Sequence, residues 1–185
     1  LDFPQPFIMH MAIATSLAAM IFNTAASTWA HNKRKHVLWS IFIKCIPGLI
    51  LGSILGAFVA TLLSTSILEI CFGLFLCALA IYFYRQKAII EGTHKLPPSL
   101  LFNGLTGLIG MISNMLGIGG GSLTVPLLTS FKIRDKSAIG TSSAITCITT
   151  ICGTFSYMIL GRADLPSEPL GLINLPAFFI VGIAA

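Results

Sequence analysis

The chain alternates between long apolar segments and short polar ones over most of its length. A helix needs about 20 apolar residues to cross the hydrocarbon core of a bilayer. Residues 7–30, 37–63, 67–84, 99–116 and 137–160 are predicted to be helices of roughly that length, 123–131 is a shorter apolar piece, and 172–185 begins another helix. Polar residues separate these segments at 31–36, 64–66, 86–98, 132–136 and 161–171. The pattern predicts an all-α, polytopic membrane protein built as a helical bundle.

A five-residue motif near the start of the chain occurs a second time. The sequence AIATS at 12–16 returns 126 positions later as AIGTS at 138–142, and seven residues are identical in the 18-residue window that starts at residue 12. A repeat of this kind indicates an internal duplication. Basic residues follow the first copy at 33–35 but precede the second copy at 132–136. Because Lys and Arg are retained on the cytoplasmic side, the two copies are predicted to cross the membrane in opposite directions, as in inverted-repeat transporters.

The duplication divides the chain into two repeats and a linker. We assign residues 1–90 to the first repeat, 91–98 to the linker and 99–185 to the second repeat. The chain starts with Leu1 rather than Met, and its last apolar segment stops at Ala185, partway through a predicted helix. We therefore expect a fragment of a larger protein, with the first repeat incomplete at its N-terminus and the second incomplete at its C-terminus.

The composition indicates that most of the surface faces lipid. Hydrophobic residues make up 55% of the chain and charged residues 9%, whereas soluble domains carry about 25% charged residues. The net charge of +5 comes from short basic clusters between apolar segments, which argues against nucleic-acid binding. The five cysteines form no Cys-x-x-Cys pair and have no clustered His, so we expect no metal site and no cofactor. No Ser/His/Asp set or carboxylate pair indicates an enzyme.

Four glycines in five positions interrupt the apolar pattern between residues 117 and 121, and Ser122 follows them. A P-loop requires Lys after its last Gly, and the dinucleotide fingerprint requires Gly at position 122, so nucleotide binding is excluded. Within a membrane such a break persists only where protein or a water-filled cavity covers it. The free N–H groups at the start of the next helix attract anions. A simple tight hairpin between two helices is the alternative interpretation.

Two further patterns concern contacts between helices. Gly48, Gly52 and Gly56 recur every four residues and predict close contact with another helix. The helix predicted at 137–160 has a polar stripe of Ser142, Thr146, Thr149, Thr150, Gly153 and Tyr157, and the first copy has a sparser one of Ser16, Asn23, Ser27 and His31. Hydroxyls in such stripes serve either hydrogen bonds between helices or a shared aqueous pathway. The sequence leaves both interpretations open.

We place a predicted anion site at the glycine break. Its residues are Asn114, Gly119, Gly120, Gly121 and Ser122, with Thr141 and Ser142 from the second copy of the motif and Thr15 and Ser16 from the first. No Arg or Lys lies in the middle of a complete predicted span, so helix dipoles and hydroxyls would recognise the anion. Glu69 is an acid within a predicted span and is a minor candidate for carrying a proton.

These residues resemble the sulfite exporter TauE/SafE family of membrane permeases. The resemblance rests on GIGGGSLTVP at 117–126, AIGTSS at 138–143, the first copy of the motif at 12–16 and the glycine row, and it extends over nearly the whole chain. Ala14 stands where the family has Gly, and the family's first glycine-rich hairpin would precede Leu1. The resemblance implies a multi-pass carrier of the bacterial inner membrane that moves sulfite, sulfonates or related organosulfur anions.

The leading hypothesis is a secondary transporter of a small oxyanion that works by alternating access between its two halves. A permease for another small solute and a non-transporting membrane assembly subunit are the alternatives. The expected partners are the anionic substrate and membrane lipid, with a proton or a sodium ion as the candidate coupling ion. The sequence determines neither the oligomeric state nor the direction of transport.

Overall fold

A computed structural model describes residues 8–85 and 98–164 of the chain. All of the regular structure in these two stretches is helical: α1 (Ile8–Lys33), α2 (Trp39–Leu62), α3 (Thr65–Arg85), α4 (Ser99–Leu116), α5 (Gly121–Ser130) and α6 (Asp135–Asp164). Five of the helices, all except α5, are long and apolar enough to cross a membrane. The predicted class, a polytopic helical membrane protein, is confirmed.

The helix bounds agree with the sequence pattern except at the end of α6. The helix α4 begins and ends at the predicted residues, and the predicted short piece after the break begins two residues early, at Gly121. A polar loop is predicted to start at Gly161, but α6 continues to Asp164, so that prediction is wrong for residues 161–164. A single Gly inside a helix costs only about 1 kcal/mol, which the helical hydrogen bonds on either side outweigh. The predicted segments at 86–97, 165–171 and 172–185 lie outside the described residues.

The glycine row of α2 packs directly against the backbone of α4. A Cβ atom on Gly52 would overlap the backbone of Gly107, and one on Gly48 would overlap the carbonyl of Asn103. Residues four apart share one helix face, so the whole row lets the two backbones meet. The predicted close helix contact is confirmed, and its partner is α4.

The helices α1 and α6, which carry the two copies of the motif, pack against each other in opposite directions. Near the end of α1, the hydroxyls of Ser27 and Ser143 are 3.1 Å apart. Near its start, Met11 and Ala14 lie in the same apolar cluster as Tyr157. Residues late in α1 therefore lie beside residues early in α6, and the reverse holds at the other end. The two helices that carry the motif are therefore antiparallel neighbours.

The helix α3 lies at the edge of the described bundle. Leu68 is its one buried residue, and Glu69 is exposed. Its remaining surface is mostly apolar, which suits a helix that faces lipid.

Candidate functional site

The glycine break between α4 and α5 requires glycine because of its backbone conformation. Gly117, Gly119 and Gly120 have φ angles of 71°, 75° and 92°. Side chains disfavour this left-handed region, whereas glycine adopts it freely. The N–H groups of Gly117 and Ile118 both donate to the carbonyl of Ser113, which caps the end of α4. The chain then enters α5 at Gly121, so the break is a well-defined turn between two helices.

The first turn of α5 has free hydrogen-bond donors. The N–H groups of Leu123 and Thr124 donate to the carbonyl of Gly120, and no side chain caps the helix. The N–H groups of Gly121 and Ser122 have no acceptor in the described part of the chain. Unpaired N–H groups and the positive end of the helix dipole together make such a terminus attractive to anions.

Polar side chains without partners lie in the two helix turns that flank the break. Asn114 is 0% exposed, yet neither its Oδ1 nor its Nδ2 has a hydrogen-bond partner. The buried Oγ atoms of Ser113 and Ser122 also have no partner. Leaving a buried polar group unpaired costs about 1–3 kcal/mol, and protein interiors avoid it. Several such groups in the two turns that flank one break indicate a place where a ligand supplies the missing hydrogen bonds.

The helix α6 forms the opposite side of the site. The Thr149 hydroxyl donates to the carbonyl of Gly119 at 2.5 Å. A Cβ atom on Gly119 would lie 2.9 Å from the methyl carbon of Thr146 and 3.0 Å from that of Thr150. One turn farther along α6, a Cβ atom on Gly153 would lie 2.5 Å from the Oδ1 of Asn114. The polar stripe predicted on this helix therefore packs against the break, and Gly153 leaves room for the Asn114 amide.

The break lies at half height in the bundle. The helix α1 has its midpoint between Met20 and Ile21, and α6 has its midpoint between Thr149 and Thr150. The sulfur of Met20 and the methyl group of Thr150 both lie against Gly119. Since both helices are long and apolar enough to cross a bilayer, we expect the break to lie near the middle of the membrane. Secondary transporters bind their substrates at this depth.

The described residues that line the break carry no charged side chain. The sequences of α4 and α5 contain no Asp, Glu, Lys, Arg or His. The charged residues of α1 and α6 lie at the helix ends, far from the midpoints. Any anion held here is therefore stabilised by N–H groups, hydroxyls, the Asn114 amide and the α5 dipole.

The structure brings most of the predicted site residues together. Asn114 lies on one side of the break, and the glycines and Ser122 form the break and the first turn of α5. Ser16 lies close to it on α1, where its hydroxyl donates to the carbonyl of Gly117 at 3.2 Å. Thr15, the residue before it, is buried in α1.

Two predicted residues of α6 lie away from the break. The Thr141 hydroxyl accepts a hydrogen bond from the N–H of Leu38 at 3.0 Å, and Ser142 donates to the carbonyl of Ile139 at 2.8 Å. Thr141 precedes Thr149 by eight residues, which is about 12 Å along a helix axis. Thr141 therefore sits beside the connection from α1 to α2.

Ser113 and Thr149 also contact the glycine break, although the sequence-based site omits them. Ser113 occupies the same turn as Asn114, and its Oγ lies 3.3 Å from the Cβ position of Gly120. A Ser beside an Asn in the last turn before the break is a signal that could have identified it. Thr149 belongs to the predicted stripe, but the sequence could not single it out, because its neighbours on the stripe have the same chemistry and spacing.

Sequence comparisons identify relatives over the whole chain. The profile of the sulfite exporter TauE/SafE family matches residues 3–185. A probable membrane transporter protein of Haemophilus influenzae is 32% identical over 191 residues, covering 100% of this chain and 70% of the relative. A probable membrane transporter protein of Methanocaldococcus jannaschii is 30% identical, covering 98% of this chain and 68% of the relative. The probable membrane transporter protein YunE of Bacillus subtilis is 30% identical, covering 86% of this chain and 66% of the relative. No solved structure matches the chain.

Proposed function

The chain belongs to the sulfite exporter TauE/SafE family, and we propose that it is the substrate-binding part of a secondary transporter for small sulfur oxyanions such as sulfite and sulfonates. Its relatives are named as probable membrane transporters, which supports a permease rather than an enzyme. The proposed location is the inner membrane of a bacterium. The proposed substrate is narrower than the relatives' names and rests on the family and on the chemistry of the break.

The observation that carries the proposal is the buried, unpartnered Asn114 amide in the last turn of α4, together with the unpaired N–H groups of Gly121 and Ser122 in the first turn of α5. An oxyanion presents several oxygen atoms that accept hydrogen bonds from such donors, and the α5 dipole favours its negative charge. The hydroxyls of Ser113 and Ser122 add donors in the same two turns. A site without a fixed cation also lets the anion leave, because no buried charge is left unpaired on release.

The antiparallel pair of α1 and α6 supports a mechanism of alternating access. The two helices carry the two copies of the motif, run in opposite directions and meet at their midpoints beside Gly119. In inverted-repeat transporters, one half rocks against the other around a site at the repeat interface. We propose that this movement opens the break first to one side of the membrane and then to the other.

Substrate flux into proteoliposomes tests the proposal. The complete protein is reconstituted, and uptake of radiolabelled sulfite is measured with and without an excess of a sulfonate, a carboxylate or a neutral sugar. We expect saturable sulfite uptake that the sulfonate suppresses and the sugar does not. Uptake that responds only to the carboxylate or the sugar would identify a permease for another solute. No flux of any of these compounds would favour an assembly subunit and overturn the proposal.

A further inference from the structure

We infer that the break selects singly charged anions over doubly charged ones, so that the transported species are bisulfite and sulfonates rather than the sulfite dianion or sulfate. This inference rests on the proposed function, because it concerns the substrate of the same site. The observation behind it is the combination of a largely buried site with neutral donors.

The donors at the break are all uncharged. They are the N–H groups of Gly121 and Ser122, the Asn114 amide, and the hydroxyls of Ser113 and Ser122. The helix dipole adds the equivalent of about half a positive charge at the start of α5. These groups together suit the single charge of a monoanion and leave most of the charge of a dianion uncompensated.

The cost of desolvation grows faster with charge than this attraction does. The attraction between a dipole and an ion is proportional to the charge of the ion, whereas the Born cost of burial is proportional to its square. A dianion is therefore attracted about twice as strongly as a monoanion of the same size but costs about four times as much to bury. Asn114, Gly119 and Gly120 are buried and Gly121 and Ser122 are half-buried, so an anion bound here loses much of its hydration and the cost of desolvation outweighs the added attraction. The site favours the monoanion.

No described Asp, Glu, Lys or Arg side chain lies at the break to change this balance. The titratable side chains on the surrounding helices are His10, His31 and Lys33 on α1, Lys44 and Cys45 on α2, and Asp135, Lys136, Cys147, Cys152 and Tyr157 on α6. Those that are charged at neutral pH lie at helix ends or, as with Lys44, on an exposed surface. His10 is buried, and its ring nitrogen lies 2.9 Å from the carbonyl of Ala60, near the start of α1. Tyr157 donates its hydroxyl proton to the carbonyl of Asn114.

The inference has a chemical consequence for sulfite. Bisulfite and the sulfite dianion interconvert by one protonation near neutral pH, whereas a sulfonate stays a monoanion and sulfate stays a dianion across that range. A transporter that accepts only the monoanion carries bisulfite together with its proton. The substrate itself then delivers the proton, and the break needs no carboxylate to hold one.

The test compares the pH dependence of two substrates in the same proteoliposomes. Initial uptake of radiolabelled sulfite and of methanesulfonate is measured at pH values that bracket the second pKa of sulfite, with sulfate added as a competitor. Above that pKa, we expect the half-saturating concentration of total sulfite to rise about tenfold per pH unit, following the bisulfite fraction. The value for methanesulfonate should stay constant, and sulfate should not compete.

Methanesulfonate separates titration of the substrate from titration of the protein. A parallel change for both substrates would mean that a protein group titrates, and it would contradict the inference. Sulfite uptake that stays constant or rises with pH would also contradict the inference, and so would competition by sulfate. If neither sulfite nor methanesulfonate is transported at any pH, the proposed function itself fails, which is a different result from a loss of charge selectivity.

Discussion

The hydroxyl of Thr141 accepts a 3.0 Å hydrogen bond from the backbone N–H of Leu38, which joins the second turn of α6 to the start of α2. Thr141 is 0% exposed, and its neighbour Gly140 lies against the carbonyl of His36 in the same connection. The motif that repeats in the sequence thus fixes a loop at one end of the bundle. The hydroxyls that contact the glycine break lie one to two turns farther along α6.

Replacing Thr141 and Thr149 by Val should separate these two roles. Thr141→Val removes the acceptor for Leu38 and should lower stability by about 1 kcal/mol with no change in sulfite affinity. Thr149→Val removes the hydrogen bond to the carbonyl of Gly119, and should weaken sulfite binding about three- to tenfold by loosening the break. Thermal unfolding in detergent and equilibrium sulfite binding measure the two effects. Weaker sulfite binding by Thr141→Val than by Thr149→Val would instead place the site near the second turn of α6.

The contact between α2 and α4 should not tolerate a methyl group on the glycine row. Gly52→Ala places a Cβ inside the backbone of Gly107, so the helices must separate, at a cost of about 1–3 kcal/mol or more. Gly73→Ala on α3 is the matched control, because a Cβ there meets no atom within 4 Å. We expect a clearly lower unfolding temperature for Gly52→Ala and an unchanged or slightly higher one for Gly73→Ala. Equal unfolding temperatures would contradict the packing described.

Filling the break should abolish transport without unfolding the bundle. Gly120 has a φ of 92° and lies beside the Oγ of Ser113. A Val side chain at this position therefore strains the backbone and fills the space beside the N–H groups of α5 where we place the anion. Gly104→Val on α4 is the control, since that position faces open space. We expect no sulfite flux from Gly120→Val and near-normal flux from Gly104→Val. Normal flux from Gly120→Val would place the substrate elsewhere.

The proposed topology puts the ends of α1 and α6 on defined sides of the membrane. Residues 32–36 and 132–136 contain the basic clusters and should face the cytoplasm, whereas the end of α6 at Asp164 should face outside. Single cysteines at positions 33 and 164, introduced after replacing the five native cysteines, are labelled with a membrane-impermeant thiol reagent. We expect label from outside only at position 164. Labelling of both positions from one side would refute the inverted arrangement.

The sequence predicts the fold well because membrane helices depend on local composition. The bounds of α4 and the glycine row follow from apolar length and small-residue spacing, which tertiary contacts do not alter. The end of α6 is harder to predict, because a glycine such as Gly161 is typical of a helix terminus, and yet the helix continues through it. Which turn of the hydroxyl stripe meets the break was not predictable, because every turn carries the same chemistry. How the break packs along α6 determines that Thr149, and not Thr141, contacts Gly119.

The most direct test of the central claim is equilibrium binding of radiolabelled sulfite to purified Asn114→Leu and Asn103→Leu variants. Asn103 lies on the same helix about three turns from Asn114, away from the break. Leu has the same branched side-chain skeleton as Asn with bulkier methyl groups, and it removes a buried amide that has no partner, so Asn114→Leu should be about as stable as the native protein. We predict that Asn114→Leu binds sulfite at least about tenfold more weakly at unchanged or higher unfolding temperature, while Asn103→Leu binds normally. Native affinity in Asn114→Leu would contradict an anion site at the glycine break.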